Sequence, residues 1–254
     1  MTVRDIAQMI DHSLLHPAMT DEEVLKGCAV AVEQQVKAVC VKPYAIPMVR
    51  QALLKSPVLI ATVVGFPHGN SMTAVKLRET QEALVAGARE IDMVVNIGKV
   101  LGGQYDYVKD EVRAVSRLCH RTSGVLKVIF ENDFLKDEHI IELCRICSET
   151  EVDFVKTSTG YGFVRQPDGK YDYKGATEPQ VRLMREHTSR HIQIKAAGGV
   201  RTLEGLLKFR ELGCTRVGTS ATGSILAEAR KVFPPSGSAD ARAGSANLGK
   251  SGVR

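Results

Sequence analysis

Short, almost wholly apolar runs alternate with longer amphipathic stretches along nearly the whole chain. The apolar runs fall at residues 37–41, 58–64, 90–96, 125–131, 153–157 and 192–197, with briefer ones at 11–15 and 216–218. Each predicts a strand buried on both faces, as in a parallel sheet. Between them the spacing changes to a helical period. Thr20-Asp-Glu-Glu23 is a capping box opening a helix to about residue 35, and a helix follows Pro43. Further helices are predicted at 73–86, 105–121 and 136–150. Thr177-Glu-Pro-Gln180 is read as a second capping box, opening a helix to about 188. Thr202 caps a helix to about 212, and 220–233 is the last. Residues 3–10 predict a short amphipathic helix ahead of the first strand, and a glycine-spaced turn is expected after residue 96.

Eight strand–helix units at even spacing imply an α/β fold, and a closed (β/α)8 TIM barrel over residues 1–233 accommodates them. An open doubly wound sheet would carry a glycine-rich first crossover, and residues 12–20 contain no glycine. There is no Walker A motif. Residues 234–254 are rich in Gly, Ser and Ala and predict a disordered tail.

Four successive strands carry a charge at a core-like position: Asp92, Lys127, Lys156 and Lys195. One reading makes each a solvated strand end, since such residues are rarely buried unless paired. The other brings them together at the C-terminal mouth of a barrel, where active sites of this fold sit. Lys156 is followed at once by Thr-Ser-Thr-Gly160. A desolvated lysine loses its charge, and a neutral amine attacks carbonyls. A second ammonium nearby lowers its pKa further, and a carboxylate between the two keeps the second lysine charged.

Glycines end the last two strands, in Ala196-Ala-Gly-Gly-Val-Arg201 and Val217-Gly-Thr-Ser220, each just before a helix. They permit tight turns, or they let backbone N–H groups and a helix dipole hold an anion, the recurrent phosphate site after strands 7 and 8. On the second reading Gly198, Gly199, Val200, Gly218 and Ser220 bind phosphate.

Composition narrows the classes. The net charge of +5 is spread along the chain, with no basic stripe of the kind nucleic acid requires. No apolar run is long enough to span a bilayer. Six cysteines in apolar contexts, and an N-terminus with charges where a signal's apolar region would lie, lead us to expect reduced thiols and a cytoplasmic protein. Cys144-Arg-Ile-Cys147 falls in a helix without a second pair, which favours packing over zinc or redox work. The seven histidines form no H-E-x-x-H pattern. His12 and His16 flank the end of the first strand, near the site or solvated.

The stretches Glu90-Ile-Asp-Met-Val-Val-Asn-Ile-Gly98, Val155-Lys-Thr-Ser-Thr-Gly160, Lys195-Ala-Ala-Gly-Gly-Val-Arg201 and Arg216-Val-Gly-Thr-Ser220 resemble the deoxyribose-phosphate aldolase family, class I aldolases built on a (β/α)8 barrel. Ile10-Asp-His-Ser-Leu-Leu15, Val39-Cys-Val-Lys-Pro43 and Leu126-Lys-Val-Ile-Phe-Glu131 match in place, so the resemblance covers about residues 3–233. It implies that Lys156 forms a Schiff base while Asp92 and Lys195 exchange protons. The substrate implied is a small phosphorylated sugar, 2-deoxy-D-ribose 5-phosphate, cleaved to glyceraldehyde 3-phosphate and acetaldehyde in deoxyribose phosphate catabolism. Asp11, Lys127 and Thr159 are further candidate substrate contacts, and Cys40, on the second strand, either lines the pocket or fills the core. No metal or other cofactor is implied, because the iminium takes the place of a Lewis acid. A homodimer is expected on fold analogy alone. Two features depart from some family members. The segment 234–254 contains no tyrosine, and Tyr161 stands where some members carry a lysine. Both bear on rate and phosphate affinity. The insert 165–174 is expected to cover the mouth.

Overall fold

The computed structural model describes residues 1–233; the tail expected at 234–254 lies outside the described residues. Among the described residues ten strands and ten α-helices follow one another. The strands are β1 (Ile10–Leu14), β2 (Ala38–Val41), β3 (Leu59–Val64), β4 (Glu90–Val94), β5 (Val125–Ile129), β6 (Phe154–Lys156), β7 (Val164–Arg165), β8 (Tyr171–Asp172), β9 (Gln193–Ala197) and β10 (Cys214–Thr219). The helices are α1 (Val3–Ala7), α2 (Asp21–Glu33), α3 (Ile46–Ala52), α4 (Thr73–Ala86), α5 (Ile97–Leu101), α6 (Tyr105–His120), α7 (Asp137–Glu149), α8 (Glu178–His187), α9 (Leu203–Glu211) and α10 (Thr222–Val232).

Eight strands close into a parallel barrel in the order β1-β10-β9-β6-β5-β4-β3-β2. This is the expected TIM barrel. The strands are apolar because both faces are covered: β4 is buried at all five positions. The main apolar core lies between the barrel and its helices, with Ile91, Met93, Leu126, Val128, Val155 and Ile194 facing outward into it. A second, smaller cluster of Leu15, Ala38, Cys40, Ala61 and Val63 fills the β1–β3 side of the interior with small side chains. The opposite side of the interior is charged.

The structure corrects the sequence reading locally. The first helix stops at Ala7 because Ile10 already belongs to β1. The last barrel strand is longer than expected, reaching back past an irregularity between Cys214 and Arg216. The turn after residue 96 contains α5, capped by the Asn96 side chain, which accepts from the Lys99 N–H at 3.1 Å. Thr177 forms no capping bond; its hydroxyl donates to Gln180 Oε1 instead, and Pro179 in the first turn removes one of the N–H groups a cap would satisfy. The insert is an antiparallel hairpin, β7–β8, standing outside the barrel between β6 and α8. All six cysteines are free thiols and buried. Among the described residues no helix is long and apolar enough to cross a membrane.

Candidate active site

Strand alternation sends every second side chain of β4, β5, β6, β9 and β10 into the barrel. Asp92, Lys127, Lys156 and Lys195 are 0%, 0%, 2% and 1% exposed, so none is a solvated strand end. Lys156 and Lys195 are direct partners across β6 and β9, and Asp92 and Lys127 across β4 and β5. Lys127 lies one layer deeper than Lys156: it pairs with Phe154, whereas Lys156 pairs with Ile129.

Asp92 links the three lysines. Its Oδ2 accepts from Lys156 Nζ at 2.7 Å and from Lys195 Nζ at 2.8 Å, and its Oδ1 accepts from Lys127 Nζ at 2.8 Å. Lys195 also donates to Asp11 Oδ2 at 2.5 Å. Below them Glu90 accepts from Lys127 at 2.5 Å and from Arg216 at 2.9 Å, and Arg216 donates to Asp11 at 2.6 Å. Phe154 packs against the Lys127 and Arg216 cations.

Three carboxylates therefore face four bases, and a neutral Lys156 balances the cluster. The individual environments agree. Burial lowers the Lys156 pKa; Asp92 opposes this and the Lys195 ammonium adds to it. Burial also works against Lys195, but Asp11 and Asp92 outweigh it and hold that amine above its ordinary value. Lys127 is likewise raised, its burial outweighed by Asp92, Glu90 and Asp11. Asp92 and Asp11 stay ionised, well below the usual carboxylate range, because the surrounding cations overcome their burial. The amine with a single carboxylate contact is the one that gives up its proton most readily.

A pocket of about 430 Å³ opens above this cluster, large enough for a small sugar phosphate. Lys156 and Lys195 reach it, with Asp11, Cys40, Thr159 and the turns holding Gly198, Gly199, Val200, Gly218 and Ser220. Asp92 and Lys127 are beneath its floor rather than in its lining. Cys40 is a thiol there, pushed up to about 11 by burial and then by Asp92. His12 also lines the pocket; burial lowers it to about 4, and its Nδ1 is hydrogen-bonded to the Thr222 hydroxyl at 2.8 Å.

The glycines do different work. Gly198 and Gly199 have φ of +86° and +79°, a left-handed pair that turns the backbone at the end of β9. Gly218 makes room: a Cβ there would stand 3.2 Å from Lys195 Cε. Beyond the strand ends, the Thr157 hydroxyl donates to the Ala197 carbonyl and accepts the Ala197 N–H at 3.1 and 3.0 Å, fastening the chain after Lys156 to the Gly198 turn.

Sequence reasoning missed Glu90, Arg216 and Glu131. Glu90 is two residues from Asp92, so the alternation that selected Asp92 would have selected it. Arg216 shares a face with Gly218 by the same rule. Glu131 follows β5 in a left-handed conformation, φ +62°, and is buried. It accepts from the Thr159 N–H at 3.1 Å and from the Thr159 hydroxyl, holding the loop after Lys156; burial raises it to about 7.

The DeoC/LacD aldolase family profile matches residues 6–216 of the chain. A deoxyribose-phosphate aldolase of Rhodopirellula baltica is 46% identical over 227 residues, 89% of this chain and 90% of that protein. One of Thermococcus gammatolerans is 41% identical, covering 91% of this chain and 99% of its own. Among solved structures, a tetrameric deoxyribose phosphate aldolase from Aeropyrum pernix superposes with a TM-score of 0.81 at 27% identity, over 91% of this chain and 93% of that one.

Proposed function

The chain belongs to the DeoC/LacD aldolase family, and from that premise we propose that it cleaves 2-deoxy-D-ribose 5-phosphate reversibly to D-glyceraldehyde 3-phosphate and acetaldehyde through a Schiff base on Lys156. It is an aldolase, a carbon–carbon lyase. The observation that carries the lysine mechanism is the position of Lys156 Nζ: at the pocket floor, 2.7 Å from Asp92, which also holds the Lys195 ammonium.

In this reading neutral Lys156 adds to the C1 aldehyde, and the carbinolamine loses water to give an iminium. The C3 hydroxyl then gives its proton, through a water, to the Asp92 carboxylate as the C2–C3 bond breaks. Its electrons pass to the iminium, leaving an enamine on Lys156 and releasing glyceraldehyde 3-phosphate. Protonation at C2 and hydrolysis release acetaldehyde and restore the amine. Lys195, kept charged by Asp11 and Asp92, supplies protons; Asp92 and a water return them. Such positioned proton transfer contributes about 10²–10⁴-fold. The iminium is the electron sink, so the reading calls for no metal and no other cofactor. The Gly198–Val200 and Gly218–Ser220 turns bind the phosphate through backbone N–H groups at the entries of α9 and α10. Lys127 acts from below, fixing Asp92. This chemistry suits deoxyribose phosphate catabolism in the cytoplasm, and a homo-oligomer is the proposed assembly.

The test is borohydride reduction in the presence of acetaldehyde or 2-deoxyribose 5-phosphate, followed by peptide mass mapping. We expect one reduced adduct on Lys156, absent from Lys156→Ala. An adduct on Lys195 or Lys127 would reassign the roles, and none from folded protein would reject the Schiff-base mechanism.

A further inference from the structure

The β7–β8 hairpin is fastened at its far end to the phosphate turn. Gly175, with φ +69°, packs so closely on Gly198 that a Cβ would stand 2.5 Å from the Gly198 carbonyl oxygen. The next residue, Ala176, donates its N–H to that same oxygen at 3.2 Å. From the other side Asp133, in the turn after β5, accepts the N–H groups of Lys174 at 2.7 Å and Gly175 at 3.0 Å. The segment leaving the hairpin is thus bolted between β5 and β9.

Tyr173 immediately precedes this anchor. Its ring is half-buried, stacks edge-on with Phe163 at 5.5 Å between centroids, and lines the pocket beside Tyr161. Tyr161 in turn packs edge-on against Phe66 at 5.6 Å. Among the described residues neither the Tyr161 nor the Tyr173 phenol oxygen has a hydrogen-bond partner, although both tyrosines line the pocket. A phenol pays little entropy to present one rigid donor. Two such donors at the rim of a pocket whose floor is already committed to Lys156 and Lys195 suit oxygens at the far end of the substrate.

We propose that Tyr173, delivered by the hairpin, is a specificity-determining residue that donates a hydrogen bond to the substrate's phosphate, and that Asp133 is the positioning residue that sets it there. The proposal rests on the phosphorylated-sugar reading above. It accounts for the hairpin's double fastening: a wall that reads an anion has to hold a phenol oxygen in place relative to the Gly198 turn.

Binding of inorganic phosphate is read by isothermal titration calorimetry, whose signal does not depend on the tyrosine being replaced. Tyr173→Phe is expected to weaken phosphate binding about tenfold, the loss of one hydrogen bond to a charged acceptor. The ratio of kcat/KM for 2-deoxyribose 5-phosphate to that for unphosphorylated 2-deoxyribose should fall by a similar factor, through KM rather than kcat. Asp133→Ala should move the ratio in the same direction, while Asp133→Asn, which keeps an acceptor for the two N–H groups, should restore most of it. If Asp133→Ala does not fold, Tyr173→Phe, which removes a single oxygen, still decides. Phosphate affinity and substrate ratio within twofold of wild type in Tyr173→Phe would overturn the proposal, as would wild-type protein that binds no phosphate. Phosphate binding that depends on Tyr173, in protein that forms no borohydride adduct, would instead sink the aldolase mechanism and leave this inference standing.

Discussion

Lys156 and Lys195 are register partners on adjacent strands, and their side-chain nitrogens donate to the same oxygen of Asp92. Two amines that close cannot both be charged cheaply in a buried site. Asp11 contacts only one of them, and so decides which keeps its proton.

Removing that charge should therefore move the pH profile. In Lys195→Met the ammonium that depresses Lys156 is gone, the Lys156 pKa rises, and the acid limb of kcat/KM shifts to higher pH. Lys195→Arg keeps the charge and should leave the limb nearer its wild-type place, although proton transfer is lost. A pH–rate series on the three proteins checks both statements.

Asp92→Asn takes the shared counter-charge from three lysines at once. We expect kcat to fall by about 10²–10⁴, the range for losing a positioned acid–base group. Steady-state kinetics on protein shown to be folded by circular dichroism would measure it.

The deeper layer should register in stability. Glu90→Gln leaves Lys127 and Arg216 facing each other without the carboxylate between them, and breaking a buried pair this way costs about 3–5 kcal/mol. Glu90→Gln combined with Arg216→Met should cost less than the sum of the single changes, because the residues share one network. Urea unfolding of the three variants gives the comparison.

Gly218→Ala tests the space beside Lys195. Its new Cβ would lie 3.2 Å from both Lys195 Cε and Ala197 Cβ. Displacing the amine should lower kcat about ten- to a hundredfold, against a stability loss of about 1–3 kcal/mol. A variant with unchanged kcat would show that Lys195 yields without losing its place.

Two buried groups at the mouth should oppose each other in pH-dependent stability. Glu131 is raised from 4.5 to about 7, so the folded protein holds a proton that the unfolded chain releases, and stability falls as pH rises across that window. His12 is lowered from 6.5 to about 4, so the unfolded chain binds the extra proton and stability rises with pH across its window. Each is worth about 3 kcal/mol. Glu131→Gln should expose the rising trend and His12→Asn the falling one, read from unfolding midpoints between pH 4.5 and 6.5.

The barrel was legible because burial on both faces makes its strands apolar throughout, and that pattern survives in a single sequence. Asp92, Lys127, Lys156 and Lys195 stood out as exceptions to it. Glu90 and Arg216 did not, since a charge at the first or last residue of an apolar run looks like a solvated end until the strand bounds are known. β10 begins two residues earlier than its apolar run suggested, and that shift is what hides Arg216. The depth of Lys127 relative to Lys156 depends on strand stagger, which no local pattern encodes. Tyr173 was invisible for another reason: it reaches the pocket through a hairpin whose direction is fixed by Asp133, forty residues away in sequence.

Asp11 belongs to the first barrel strand and Arg216 to the last, and they meet at 2.6 Å across the seam that closes the ring. Lys195, on the strand beside Arg216, draws its charge from the same aspartate. β1 is made long before β10, so the Asp11–Arg216 contact is among the last of this network that the chain can form. The charged network around Asp92 is therefore complete only when the two ends of the barrel join.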